Sequence, residues 1–150
     1  MAHETSSGPC YKPWMDKTCQ IVAVAALIFD GDRLLCMRRS PQKDAGAGTW
    51  ETLSGRVELG EDPEAAVLRE VEEETGLEIE LDPRPVTAYA ALRGTEPMTV
   101  ILYRAKWKGK EVRRSEEHDQ HAWLTPDEFA QRTSLEPLVD AARLALRLPW

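Results

Sequence analysis

Residues 55–77 read GRVELGEDPEAAVLREVEEETGL, and the order of residue types in this stretch decides a local fold. Asp62 followed by Pro63 reads as an N-cap and a first helical position, where the missing amide proton costs nothing. Gly76 reads as the C-terminal stop, so the spacing predicts a helix of about 13 residues between them. At about 100° per residue, Glu70, Glu73 and Glu74 fall within an arc of about 100°, while Glu72 faces elsewhere. Val67, Leu68, Val71 and Thr75 form a neighbouring arc, so the acidic stripe borders the buried face instead of opposing it. Carboxylates crowded at a half-buried edge raise each other's pKa unless they share a cation. Oxygen-only ligands favour Mg2+, with Mn2+ as the alternative. The plain alternative is a charge-rich surface helix held by pairs such as Arg69 with Glu73 at i, i+4. It leaves the accompanying glycines and arginine unexplained.

The same residues fit G-x5-E-x7-R-E-U-x-E-E-x-G-U, U being apolar, at Gly55, Glu61, Arg69, Glu70, Val71, Glu73, Glu74, Gly76 and Leu77. The pattern is that of the Nudix box, and the chain resembles a Nudix hydrolase (MutT-like) over roughly residues 20–129, with the specificity concentrated in the box. The resemblance implies an α/β fold, the α/β/α sandwich with a mixed β-sheet. It also implies a divalent metal held by Glu70, Glu73 and Glu74, with the backbone carbonyl of Gly55 as a further ligand. Arg69 would orient one of these carboxylates, and Glu61, on the loop side, is a candidate for a supporting role or for a water-mediated contact to the metal. Glu70 is the candidate general base. Many members add an acid from a later loop, before a strand bearing tryptophan. In RRSEEHDQHAW, residues 113–123, Glu117 fits that place, with Glu116 its rival. Arg38 and Arg39 stand where basic residues of the family meet substrate phosphates; their other reading is a charged end to an edge strand. Glu51 completes the substrate-binding set. Its segment, Trp50-Glu51-Thr52-Leu53-Ser54-Gly55, departs from the common W-E-x-P-G-G and has a likeness to pterin-triphosphate-cleaving members.

Composition is compatible with that chemistry. With 150 residues and 42% apolar content, the chain suits one domain, residues 18–150, behind an N-terminal arm over residues 1–17. The net charge of −7 argues against stable nucleic-acid binding, while a small polyphosphate can still bind through metal ions. Cys10, Cys19 and Cys36 show no C-x-x-C spacing, which fits a reducing compartment and buried, inert thiols. The first residues, MAHETSSGPCYKPW, lack a signal-peptide layout, and the apolar run from Ile21 to Phe29 is too short to span a bilayer. The expectation is a cytoplasmic protein without membrane contact, with a homodimer compatible.

Outside the box the chain reads as strands and two further helices. Gln20 to Phe29 reads as a strand buried on both faces. Asp30-Gly31 is a turn, Arg33 to Met37 a strand, Ser40 to Thr49 a loop, and Glu51 to Val57 a short strand. Strands are also expected at Glu78 to Leu81, Val86 to Leu92, Met98 to Trp107 and Ala122 to Leu124. Thr125 with Glu128 forms a capping box for a short helix, and Leu135 to Leu146 is an amphipathic one. Trp107 and Trp123 read as core, and Trp14 and Trp150 as covers for a pocket or a partner.

Two functions are open. One is a metal-dependent hydrolase of a nucleoside diphosphate linked to another group X, such as a nucleoside triphosphate or a related nucleotide or pterin metabolite. The other is a non-catalytic Nudix-like sensing or scaffold domain. Retention of every box carboxylate favours the enzyme, because a pure binding module has no need of an unfavourable acidic cluster.

Overall fold

The computed structural model describes residues 19–42 and 46–150. The expected N-terminal arm, Cys10, Trp14 and residues 43–45 of the loop lie outside the described residues. Strand β1 (Ile21–Asp30) is buried throughout residues 23–29, as its unbroken apolar run requires. It runs parallel to β7 (Glu96–Trp107), from Ile21 opposite Met98 to Phe29 opposite Lys106. On its other edge it pairs antiparallel with β2 (Arg33–Arg39) and β4 (Leu53–Arg56). Further antiparallel partners are β3 (Trp50–Glu51) and β8 (His118–Leu124) on β2, and β5 (Ile79–Leu81) and β6 (Thr87–Arg93) on β7. Among the described residues the sheet is therefore mixed and eight-stranded.

Period-two alternation along β1 sorts the core into two layers. Ala23, Ala25, Leu27 and Phe29 pack with Phe129 of α2 (Pro126–Ala130) and with Leu138, Val139 and Ala142 of α3 (Glu136–Arg147). Val24, Ala26 and Ile28 pack with Ala66, Val67 and Val71 of α1 (Pro63–Thr75). This is the expected α/β/α sandwich. The expected single strand over Glu51 to Val57 is two short ones, and β8 begins four residues before Ala122.

Helix α1 has the expected 13 residues, with Pro63 in its first turn and Gly76 in the left-handed conformation at φ 67°. Two details differ from expectation. The Asp62 side chain makes no capping bond. Leu68, expected on the buried arc, is 44% exposed, while Ala66 and Glu74 are buried. The buried face is rotated toward the carboxylates, so the acidic stripe overlaps the core.

Cys36 is buried and its thiol is pushed up to about 12 by that burial, in keeping with an inert side chain; Cys19 is exposed, against expectation. Trp107 and Trp123 pack together, ring centroids 5.2 Å apart, against the α1 layer. No helix among the described residues is long and apolar enough to cross a membrane.

Candidate active site

Strand β4 delivers Gly55 beside the middle of α1, and the approach is so close that any larger residue would displace the Glu70 carboxylate. A Cβ on Gly55 would lie 2.0 Å from Cδ of Glu70. Arg69 then fixes the neighbouring groups. Its Nε and Nη2 donate to Glu61 at 2.8 and 2.9 Å, Nη1 donates to Glu70 at 2.8 Å and more weakly to Glu73 at 3.4 Å, and Nη2 also reaches the Arg56 carbonyl at 3.0 Å. Glu61 accepts the Glu58 amide as well, and these bonds, Arg69 first, pull its carboxyl down to about 2. Glu61 is thus a fixed counter-charge that sets the guanidinium.

Four of the acids named from the sequence meet at one cleft of about 1020 Å³. Glu51, Glu70, Glu74 and Glu117 line it, together with Gly55, Arg39, Arg56 and Arg69. Glu74 is only 9% exposed, and its Oε2 is buried with no hydrogen-bond partner among the described residues. Burial, and after it the charges of Glu70, Glu117 and Glu51, push its carboxyl up to about 8. Burial likewise raises Glu70, with Arg69 opposing. Glu73, expected with these groups, does not line the cleft; its side chain is 58% exposed and its contact there is Arg69, at 3.4 Å.

The loop before β8 is clamped from two sides so that Glu117 meets these groups. Arg113 and Ser115 donate their amides to the carbonyls of Thr75 and Glu74 at the end of α1, at 3.0 and 3.2 Å. From just after β2, the Ser40 amide donates to the Glu117 carbonyl and the Ser40 hydroxyl to that of Glu116, at 2.9 and 2.7 Å. Glu117, not Glu116, lines the cleft.

Arg38 and Arg39 part company. A bulge between β2 and β8 pairs Arg38 with Gln120 but Arg39 with His118. Arg38 spends both sides of its guanidinium on Asp119 and does not line the cleft, contrary to its expected place. Arg39 does line it and donates to Glu51 Oε2 at 3.3 Å. Sequence reasoning left out His118, which is buried and donates from Nε2 to the same Glu51 oxygen at 2.9 Å. It also left out Thr52, whose buried hydroxyl oxygen has no partner. Among the described residues the buried side-chain atoms without partners are Thr52 Oγ1, Glu74 Oε2 and His118 Nδ1, and all belong to this site or touch it.

Away from the carboxylates the cleft turns apolar, walled by Ala23 and Ala25 of β1, Tyr89 of β6, Met98 and Val100 of β7, and Leu138 of α3. Arg93, at the end of β6, stands on its rim. An acidic end and an apolar end joined in one cavity suit a ligand that is itself part ring, part polyphosphate.

The donor set fits an oxygen-bound divalent metal. No three His, Cys, Asp or Glu side chains among the described residues stand as a closed coordination cluster. Even so, Glu74 carries a buried oxygen with nothing to satisfy it, beside Glu70 and Glu117. A shared cation would relieve both the repulsion and the missing partner.

Comparison with known proteins agrees with this geometry. The family model of the NUDIX domain matches residues 20–145. A MutT-like protein of Streptomyces ambofaciens is 40% identical over 112 residues, 74% of this chain and 68% of the relative. The CTP pyrophosphohydrolase of Escherichia coli is 28% identical over 75% of this chain and 82% of its own. Among solved structures, the MutT protein of Methanosarcina mazei superimposes with a TM-score of 0.76 at 24% identity, covering 87% of this chain and 96% of that one. With the family model spanning most of the sequence and its box folded around one acidic cleft, this chain belongs to the Nudix family and is a pyrophosphohydrolase of nucleotide-like substrates.

Proposed function

We propose that the chain cleaves the phosphoanhydride of a nucleoside triphosphate by metal-dependent attack of water on phosphorus, giving a nucleoside monophosphate and pyrophosphate. The observation that carries this reading is the buried, partnerless Glu74 oxygen among like charges, in a cleft lined by both carboxylates and apolar side chains. Glu70, Glu73, Glu74 and Glu117, with the Gly55 carbonyl, would hold Mg2+, or Mn2+ in its place. When bound, such an ion neutralises the phosphate oxygens and acidifies a coordinated water. Arg69 occupies Glu70 Oε1, which leaves Oε2 to take the proton of the attacking water, and burial raises the carboxyl toward the basicity that role needs. Arg39 and Arg56, on the lining, are the cations that orient substrate phosphates. Arg38 is withdrawn from that role by Asp119. Glu51 meets the substrate where the two ends of the cleft join.

Nucleoside triphosphates stand ahead of pterin triphosphate because the sequence relatives carry such names. Besides the CTP enzyme they include a putative 8-oxo-dGTP diphosphatase of Mycobacterium tuberculosis, 36% identical over 73% of this chain and 76% of its own. The test is phosphate release, with and without inorganic pyrophosphatase, from nucleoside triphosphates, nucleotide sugars, dinucleoside polyphosphates and pterin triphosphate, each with Mg2+, Mn2+ or EDTA. Triphosphate turnover that vanishes in EDTA and in Glu74→Gln is expected. A folded protein that binds metal and turns over none of them would favour the sensing domain.

A further inference from the structure

We propose that His118 is a positioning residue for substrate selection: it holds the Glu51 carboxylate at the junction of the acidic and apolar ends of the cleft. The inference rests on the proposed function and deepens it.

The geometry starts at the bulge. Arg38 pairs with Gln120, so a regular ladder would set Asp119 opposite Arg39, bringing a third carboxylate toward Glu51 and Glu74. The extra residue instead places His118 opposite Arg39, and Asp119 is taken up by Arg38 on the other side. A bulge re-aims side chains in this way at the cost of ladder regularity. The side chain so placed is 2% exposed and, among the described residues, makes one hydrogen bond, from Nε2 to Glu51 Oε2, while its Nδ1 is buried without a partner. An imidazole buried on a single bond is a poor space-filler, because an apolar side chain would occupy the volume without an unsatisfied nitrogen. What the imidazole adds is a donor in a fixed direction. The other donor on Glu51, Arg39, reaches the same oxygen at a longer 3.3 Å. Both donors thus hold Oε2, and Oε1 is the oxygen left for an N–H or O–H of the substrate. Such a group contributes to binding equally before and during reaction, so its loss raises KM and spares kcat.

The experiment compares wild type, His118→Leu, His118→Gln, Glu51→Gln and the double variant Glu51→Gln/His118→Leu. Each is checked for folding by circular dichroism and assayed with Mg2+ and the nucleoside triphosphates. His118→Leu should raise KM for the best substrate about ten-fold with kcat within about two-fold. His118→Gln, which can present an amide donor near Nε2, should recover most of that loss. The double variant should bind no worse than Glu51→Gln alone, because the two side chains act as one unit. A folded His118→Leu with unchanged KM, a loss in kcat alone, no rescue by glutamine, or losses that add would overturn the proposal and leave the hydrolase standing. A wild type silent on every triphosphate would overturn the hydrolase, and the inference with it.

Discussion

Gly55 is constrained by a side chain and not by its own backbone, and this makes its role separable from folding. Its φ is not in the left-handed region, and the atoms that a Cβ would strike are the Glu70 carboxylate, the movable end of a flexible side chain. Gly55→Ala should therefore fold, with Tm within about 4 °C of wild type, while Glu70 is driven off its position. Mn2+ affinity, read by titration calorimetry, should fall about ten-fold or more, and turnover with it; unchanged affinity would mean that Glu70 is not a ligand. Glu74 gives a second test, through pH. Without metal its carboxyl is raised from 4.5 to about 8 by burial and by its acidic neighbours. Between those values the folded chain keeps a proton that the unfolded chain has lost, so stability falls as pH rises. In EDTA, Tm should drop from pH 5 to pH 8, and Glu74→Gln or saturating Mg2+ should flatten the drop. Parallel profiles for wild type and variant would contradict the buried-carboxylate reading. At this scale the box was legible because motif spacing names its residues one by one. The His118 bond to Glu51 was not, because the partners lie 67 residues apart and only a bulge brings them together.

Among the elements, the two helix starts that look alike in sequence differ in their bonds. At α2 the Thr125 hydroxyl accepts the Glu128 amide at 3.2 Å while Glu128 accepts the Thr125 amide at 2.9 Å, the reciprocal pair that the spacing announces. At α1 the Asp62 carboxylate makes no such bond, and proline in the first turn and tertiary packing set the start instead. Thr125→Ala should cost about 1 kcal/mol and Asp62→Ala only a few tenths in urea unfolding; equal losses would mean that the caps do not differ. The strands were readable where burial is continuous or alternating, as in β1 and β7. Strand β8 was read short because His118, Asp119, Gln120 and His121 carry no apolar pattern. They are held in the sheet by register with β2 and by Arg38 and Glu51, contacts that local propensity does not contain. Leu68 misled for a related reason: the helix buries Glu74, which periodicity sets only at the half-buried edge, and so turns the leucine outward.

The whole molecule is closed by a charge that sequence gives no sign of burying. Arg104, toward the C-terminal end of β7, is 2% exposed. Its Nε and Nη2 donate to Asp82 Oδ2 at 3.1 Å, and its Nη1 donates to the carbonyls of Ala145, in the last turn of α3, and Leu148, just after it, each at 2.7 Å. Nη2 also meets the Pro149 carbonyl, and the Trp150 ring lies 4.1 Å from Cζ. Trp150 thus covers this arginine and also borders a small hollow of about 270 Å³ apart from the cleft. One guanidinium ties a strand, the segment after β5 and the chain end, satisfying helix carbonyls that have no partner of their own. Asp82→Ala strands the buried cation, a change that typically costs about 3–5 kcal/mol, a large part of the 5–15 kcal/mol typical of whole domains. Tm should fall by roughly 10 °C at neutral pH. The paired replacement Asp82→Leu with Arg104→Met removes both charges together and should cost less than Asp82→Ala alone. The Asp82 carboxyl is held well below its ordinary range, by Arg84 first and Arg104 after it. Its contribution is therefore complete above the unfolded pKa of about 3.9 and is lost as pH falls through the folded value. Acid titration of Tm should then show a smaller loss in the double variant than in wild type below about pH 4. A single-variant Tm within about 2 °C of wild type would mean that the chain end is not held by this pair.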